Sequence, residues 1–372
     1  MRVCFLEDTL LHGGTQIWVT EAAAVFLNMG IDVTVLSPID GFVAEKCAEI
    51  GADVFTYDFE GVISKDNFFR EIWKTALEDS DVAVCTVHPP RKGFHCSVFG
   101  AEVIDEFNLN TILIPKTGTI VPEYKREFYK PAQDINYHVI SITDFTRKYL
   151  INEYKIPEEK VELIYQGTEV EKFTPSEEQK IEAEKRYKLP ENASPVLGNV
   201  GSFEERKGQV VLLEAIAKIK KVLPNVHLML VGDGPDEEKL KKCVIEMNLQ
   251  DNVSFFPFTS EPQYIFEVLD ILVLSSLYKE GLPNVLLEAM SMELPVVSSK
   301  LAGVPEVVVN GETGYMTEPG SSDDIAKAVE KIYKDKESYK KMAKNARRLM
   351  EDKFDKRHQF KAFADFFRKI SK

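Results

Sequence analysis

Glu280 and Glu288 stand eight residues apart in LYKEGLPNVLLEAMSMELPVVSS, residues 277–299, with Gly281, Leu282, Pro283 and Asn284 between them. Two carboxylates at such spacing can act as acid and nucleophile across one bond, or can accept hydroxyl groups at two points of one long ligand. The intervening residues favour the second chemistry. Pro283 suits the first turn of a helix running on through Leu287 to Met290, so Glu280 precedes the helix and Glu288 lies within it. The free N–H groups of Leu282 to Val285 at the helix start form an anion site, and Glu288 follows roughly 8 Å along the axis. A glycosidase pair would leave that anion site without a purpose. A diphosphate flanked by two hydroxyl-bearing groups uses all of it.

A second stretch supplies the cations. In NVGSFEERKGQVVLLEAI, residues 199–216, Gly201 ends an apolar strand, Ser202 follows, and Arg206 and Lys207 come just before a helix. The positive end of a helix dipole disfavours unpaired cations, so an anion is expected beside them. The carboxyl end of a parallel strand faces the crevice where such sheets bind ligands. Asp79 and Asp81 form a DxD, a metal-binding pattern elsewhere, but they precede a strand and so lie at the wrong end of it. With no HExxH, no Cys-His cluster and no Gx4GK[ST], no metal ligand set and no cofactor is expected.

The elements that must position these residues follow from the apolar pattern. Short Val/Ile/Leu runs alternate with longer amphipathic stretches, the mark of βαβ units with parallel sheets buried on both faces. In the first half the strands are Val3 to Glu7, Asp32 to Leu36, Val54 to Tyr57, Val82 to Val87, Thr111 to Pro115, His138 to Ile142 and Val161 to Tyr165. After a polar segment, residues 171–194, the pattern restarts with Val196 to Val200, Val226 to Val231, Val253 to Phe256, Ile271 to Leu274 and Pro295 to Ser298. The fold class is therefore α/β, with two doubly wound, Rossmann-like domains facing a central cleft. A chain of 372 residues also exceeds what one hydrophobic core holds. The domains are expected at residues 1–180 and 181–353. The last helix, about 354–372, carries Phe360, Phe363, Phe367 and Ile370 at helical spacing, a core-facing seam expected to pack back on the first domain.

Composition removes several function classes. The net charge of −14, concentrated in the first half, repels nucleic acid and anionic lipid. Basic residues on the last helix leave peripheral membrane contact as the most that is expected. Five scattered cysteines without a CxxC read as reduced buried thiols, and the chain start lacks a signal sequence, so a cytoplasmic location is expected. The turn after the first strand reads EDTLLHGGTQ rather than GxGxxG, and VGDGP at Gly232 and Gly234 lacks the third glycine, against a nicotinamide oxidoreductase.

EGLPNVLLE resembles the E-x7-E motif of retaining glycosyltransferases of the GT-B fold, glycosyltransferase family 4. HGGTQ, ISITDFTRKYL, VELIYQGTEVEKF, GSFEERKG, LVGDGP and GVPEVVVNGETGY extend the resemblance along the whole chain in the family's order. It implies transfer of a sugar from a nucleoside diphosphate donor, UDP favoured, to an acceptor hydroxyl, without a metal and with retention. Glu288 would hold the ribose hydroxyls, Glu280 the donor sugar, and Lys207 the diphosphate opposite the N–H groups of Leu282 to Val285. Gly201, Ser202, Gly281, Pro283 and Asn284 would complete the donor site. Gly13, Gly14 and Thr15 would bring backbone close to phosphate or acceptor. Two departures stand out: Ser202 replaces the family's arginine, leaving Arg206 as the second cation, and ILIPKTGT replaces its histidine near the reacting carbon. Lys116 or Thr117 would fill that place, with His88 in CTVHPP a second candidate. Glu306 serves either the site or a helix cap. A sugar-nucleotide epimerase and a sugar-nucleotide binding module without turnover are the alternatives.

Overall fold

A computed structural model of the chain describes residues 1–10, 13–64, 66–86, 95–117 and 137–371. Two compact units comprise residues 1–165 with 359–372, and residues 166–358.

The first unit is built from β1 (Arg2–Leu6), α1 (Gly14–Asn28), β2 (Asp32–Pro38), α2 (Phe42–Glu49), β3 (Asp53–Tyr57), α3 (Phe59–Ile63), α4 (Asn67–Glu78), β4 (Val82–Thr86), α5 (Cys96–Glu106), β5 (Ile112–Thr117), β6 (Val139–Ser141), α6 (Asp144–Asn152) and β7 (Val161–Leu163). Its seven strands are parallel, in the order β3-β2-β1-β4-β5-β6-β7. The chain runs outward from β1 to β3, then returns to β4 on the other side of β1. Such a reversal, at the carboxyl ends of β1 and β4, is the place where open sheets of this kind bind ligands. Val3, Val33, Val84 and Ile114 feed one face of the core, and Cys4, Leu36, Ala83 and Leu113 the other, as strand alternation between two covered faces requires.

The second unit restarts with α7 (Glu177–Arg186), inside the polar segment read as a connection. Ser176 caps it by accepting from Gln179 N, and acidic residues fill its first turn. Then follow β8 (Val196–Val200), α8 (Gln209–Ile219), β9 (His227–Val231), α9 (Glu237–Glu246), β10 (Val253–Phe256), α10 (Pro262–Phe266), β11 (Ile271–Leu274), α11 (Asn284–Ser291), β12 (Val296–Ser299), β13 (Gly314–Thr317), α12 (Ser322–Lys334) and α13 (Lys336–Lys353). The sheet order is β10-β9-β8-β11-β12-β13. β13 was not anticipated: Gly-Tyr-Met-Thr is short, opens on glycine and lacks a branched apolar run, so pairing with β12 makes it a strand.

Residues 166–180 belong to the second unit, which moves the division earlier than residue 180. Arg347 Nη1 donates to the carbonyls of Val170, Phe173 and Ser291 at 3.1, 2.6 and 2.7 Å. Ser176 N donates to Glu267 at 2.7 Å. These polar ties gave no apolar signal in the chain.

The last helix, α14 (Lys356–Ile370), buries Phe360, Phe363 and Phe367 in the first unit's core. Phe363 packs 5.2 Å from the ring centre of Trp18, and Gln359 accepts from Trp18 Nε1 at 3.3 Å. The aromatic seam thus fixes a tryptophan of α1. Among the described residues no helix is long and apolar enough to cross a membrane.

Candidate functional site

The loops leaving β8 and β11 are laced together. Leu277 N donates to Arg206 O at 2.7 Å, and Ser275 Oγ donates to Lys207 O at 2.9 Å. Gly208 ends the short 3-10 turn Glu205–Lys207 with φ +65°, and its missing side chain matters: a Cβ there would stand 2.2 Å from Ser275 O. The lacing brings Lys207 Nζ to 2.5 Å from Glu280 Oε1, across 73 residues of chain. Ser276 Oγ donates to the same oxygen at 2.7 Å, and Arg206 Nη1 lies 3.6 Å from it. Glu280 is only 10 % exposed, so three donors converge on one carboxylate oxygen in a poorly hydrated place. Among the described residues no donor reaches its Oε2.

Arg206 is divided. Its Nε donates to Glu204 at 2.8 Å, and Glu204 also accepts from Ser202; these two bonds hold the Glu204 carboxyl below its ordinary range. Ser202, standing where an arginine was expected, therefore organises the loop that carries Arg206. Neither Ser276 nor Glu204 was anticipated. The nearest signal was position: Ser276 lies four residues before Glu280, at the end of a strand.

The helix start needs a correction. α11 begins at Asn284, with Pro283 as its N-cap, so Leu282 and Pro283 lie in the loop. Proline has no N–H to offer, and Leu286 N donates to Pro283 O at 3.1 Å; Asn284 and Val285 carry the amides of the helix start. Leu282 instead presents its carbonyl to Gln166 Nε2 at 3.3 Å, and Asn284 Oδ1 accepts from the same amide. Gly281 O accepts from Gly303 N at 3.1 Å, docking the loop that contains Glu306. Glu288 is half-buried on α11. Burial pushes its carboxyl up to about 7, against the pull of Lys172 and Lys356.

The VGDGP glycines also find a structural purpose: a Cβ on Gly232 would lie 2.1 Å from Gly201 O. Phe203 N donates to Asp233 O at 2.7 Å, and a Cβ on Gly234 would lie 2.4 Å from Phe203 O. The loop after β9 thus lies directly on the loop after β8.

In the first unit Gly13 is the N-cap of α1, and Gly14 and Thr15 open the helix with free amides. Lys116, at the end of β5, places its ammonium 4.1 Å from the centre of the Trp18 ring, one turn along α1 from Thr15. The GGT turn and Lys116 thus share the carboxyl edge of this sheet. Lys116 is 7 % exposed, and burial lowers its ammonium to about 8. Because the unfolded chain holds this proton to about 10.5, stability is lost as pH falls from that value to about 8 and stays lost below. Lys116→Met is expected to raise stability at neutral pH by on the order of 2 kcal/mol and to flatten this alkaline dependence, checked by denaturant midpoints against pH. Val87 and His88 lie outside the described residues. Asp81 is engaged at the amino end of β4, accepting from Arg2 N at 2.7 Å.

One buried residue beside α1 was passed over. Glu7 directly follows β1, accepts from Gln16 Nε2 at 3.2 Å and from Asp8 N at 3.0 Å, and is pushed up to about 8 by burial and by Asp8. Its place at a strand end just before the glycine turn was visible in the chain.

Comparison with known proteins adds kinship. The family model for glycosyl transferases group 1 matches residues 180–349. The lipopolysaccharide core biosynthesis glycosyltransferase LpsE of Rhizobium meliloti is 32% identical over 163 residues, covering 44% of this chain and 46% of that one. The chain thus spans about half the length of the curated relatives it matches. A glycosyltransferase from Rickettsia africae superposes with a TM-score of 0.86 at 18% identity, covering 100% of this chain and 98% of its own. HepE of Anabaena, solved in complex with UDP, gives a TM-score of 0.86 at 19% identity over 99% of this chain and 100% of its own. At such identities the likeness establishes the fold, which is GT-B throughout. Kinship is carried by the second unit: the match to the glycosyl transferases group 1 family covers residues 180–349, with the Glu280 cluster among them.

Proposed function

We propose that the chain is a retaining, hexosyl-type glycosyltransferase that moves a sugar from a UDP-sugar to an acceptor hydroxyl. The observation that carries this reading is the convergence of Lys207, Arg206 and Ser276 on Glu280 Oε1, four residues before α11 and inside the segment that matches the family. Glu280 Oε1 is saturated, so Oε2 is the oxygen left to accept from a donor-sugar hydroxyl. Lys207 and the amides of Asn284 and Val285 take the diphosphate, and Glu288 takes the ribose hydroxyls. Gly201, Ser202 and Gly281 shape the loops around it.

The chemistry follows from charge. As the bond from the anomeric carbon to the diphosphate breaks, negative charge grows on the leaving oxygens, where an ammonium and two helix-start amides meet it. Charge-assisted hydrogen bonds contribute about 1.5–3 kcal/mol each, and those that strengthen as charge develops lower the barrier. The acceptor oxygen forms its bond on the face the diphosphate leaves. Its proton passes to the departing phosphate oxygen, and configuration is retained. The amino-terminal unit, with Gly13, Gly14, Thr15 and Lys116, is assigned the acceptor. UDP as donor base is supported by the UDP complex of the HepE fold relative, and a glycan or glycolipid acceptor by the role in LpsE's name.

The test is turnover with a panel of UDP- and GDP-sugars, with and without hydroxyl acceptors. Nucleoside diphosphate released only with acceptor, and a product of unchanged anomeric configuration, support the reading. A new sugar isomer without acceptor would mean an epimerase, and tight binding without turnover a sensor. Added Mg²⁺ or Mn²⁺ is expected to leave the rate unchanged, because Lys207 and the helix amides hold the position a cation would take.

A pH dependence follows from Glu288. Its carboxylate, populated above about 7, accepts from hydroxyls, whereas the protonated acid has lost acceptor capacity. The Kd of UDP-glucose, whose diphosphate does not titrate in this range, is expected to rise about tenfold between about pH 8 and about pH 6. Glu288→Gln is expected to weaken binding at the higher pH and to remove the slope, as calorimetric titration would show.

A further inference from the structure

We propose that the first unit holds a zinc-class divalent cation on Asp8, His95 and Cys96, at the carboxyl ends of β1 and β4. One ligand atom from each of these side chains lies within 4.8 Å of the others, and all three residues are buried, 3 %, 2 % and 0 % exposed. The inference does not rest on the donor site, which is assigned to the second unit; the cluster lies in the same unit as the residues assigned to the acceptor.

Topology brings the three together. Asp8 comes two residues after β1 ends, His95 is the N-cap of α5 and Cys96 its first residue. Strand β4 pairs with β1, with Leu6 opposite Cys85, and Cys96 Sγ lies 3.7 Å from Leu6 O. The cluster therefore occupies the point where the strand order reverses, the usual ligand position of an open doubly wound sheet. His95 and Cys96 are neighbours in the chain, but Asp8 stands far from them in it, so no spacing motif announces the set.

Charge and geometry both fit. A thiolate, a carboxylate and a neutral imidazole sum to −2, which cancels a dication; buried charge must be balanced in this way. Zinc bonds of about 2.0–2.3 Å in tetrahedral array require ligand atoms about 3.4–3.6 Å apart. The ligand atoms lie within 4.8 Å of one another, so the widest pair has to close by about 1 Å on binding. Sulfur, nitrogen and oxygen together select zinc over the oxygen-seeking Mg²⁺ and Ca²⁺. Three protein ligands leave the fourth position for water.

Each ligand also has an outer partner, as bound metals require. His95 Nδ1 lies 2.6 Å from Ser97 Oγ. In the metal-free chain Nδ1 also accepts from Ser97 N at 3.2 Å; ligation through Nε2 moves the ring proton to Nδ1, where Ser97 Oγ accepts it. Asp8 Oδ2 accepts from Cys96 N at 3.4 Å, and the Cys85 thiol is hydrogen-bonded to Cys96. On binding, the Cys96 thiol proton leaves to solvent, so uptake releases one proton.

The full chain, purified with Zn²⁺ and freed of loose metal, is expected to retain one equivalent by elemental analysis. Zn²⁺ should raise the Tm of the metal-free chain. Co²⁺ in its place should give a sulfur-to-cobalt charge-transfer band that disappears in Cys96→Ser. Ser97→Ala, which removes only the outer partner of His95, is expected to weaken Zn²⁺ about 10- to 100-fold in competition with a chromophoric chelator. Substoichiometric zinc with no shift in Tm, a Co²⁺ spectrum without the sulfur band, or a Cys85–Cys96 disulfide in the purified protein would each overturn the assignment.

Discussion

Lys207→Met is expected to lower kcat/KM for sugar transfer by about a hundredfold while leaving the melting temperature within a few degrees of the parent. In the protein Lys207 is bonded to Glu280 Oε1 at 2.5 Å, and the assigned reaction adds the departing diphosphate to the groups that its ammonium can meet. Losing a charge-assisted bond of about 3 kcal/mol that strengthens in the transition state corresponds to that factor. Methionine preserves the aliphatic stem, and Ser276 and Arg206 still face Glu280, so the loops keep their lacing. The loss should fall on kcat more than on KM, since the charge it meets develops during bond breaking. Initial rates with a saturable UDP-sugar decide it: an unchanged kcat would remove Lys207 from the leaving-group site.

Gly208→Ala should act through the backbone, and more severely. At φ +65° an L residue is strained, and the new methyl would stand 2.2 Å from Ser275 O and 3.2 Å from the Leu277 side chain. Ser275 is backbone in the very loop that donates to Lys207 O and leads to Glu280, so relief of the clash must part the loops after β8 and β11. The expected cost is about 3 kcal/mol, or a fall of roughly 6–12 °C in Tm for a unit of this size. Transfer should fall to near background even where the protein remains folded, because Lys207 and Glu280 would no longer meet. Thermal unfolding and rate measured on the same sample separate the two losses. By contrast Gly30, also at positive φ, has open space where its Cβ would be, and Gly30→Ala should show the backbone strain without the loss of activity.

Both sheets were legible because a parallel strand covered on both faces must be an apolar run, and the runs stand out against amphipathic helices. β8, β10 and β11 carry the bounds expected of them. β13 was hidden because its four residues owe their conformation to β12 rather than to their own preferences. Residues 171–194 read as a connection because α7 and its neighbours are held by Arg347 and Glu267, polar ties that leave no periodic trace.

The candidate site divides in the same way. Residue types and spacing by themselves placed Glu280, Arg206 and Lys207 in loops after parallel strands and Glu288 in the helix that follows Glu280, the setting of an anion site. Only the tertiary structure decided that Lys207, Ser276 and Arg206 share one oxygen of Glu280, that Pro283 leaves the helix amides to Asn284 and Val285, and that Lys116 rests on Trp18. The reason is physical. Strand and helix follow from periodicity within a few residues, but a hydrogen bond across 73 residues depends on two loops whose path is set by a left-handed glycine and by backbone bonds between them.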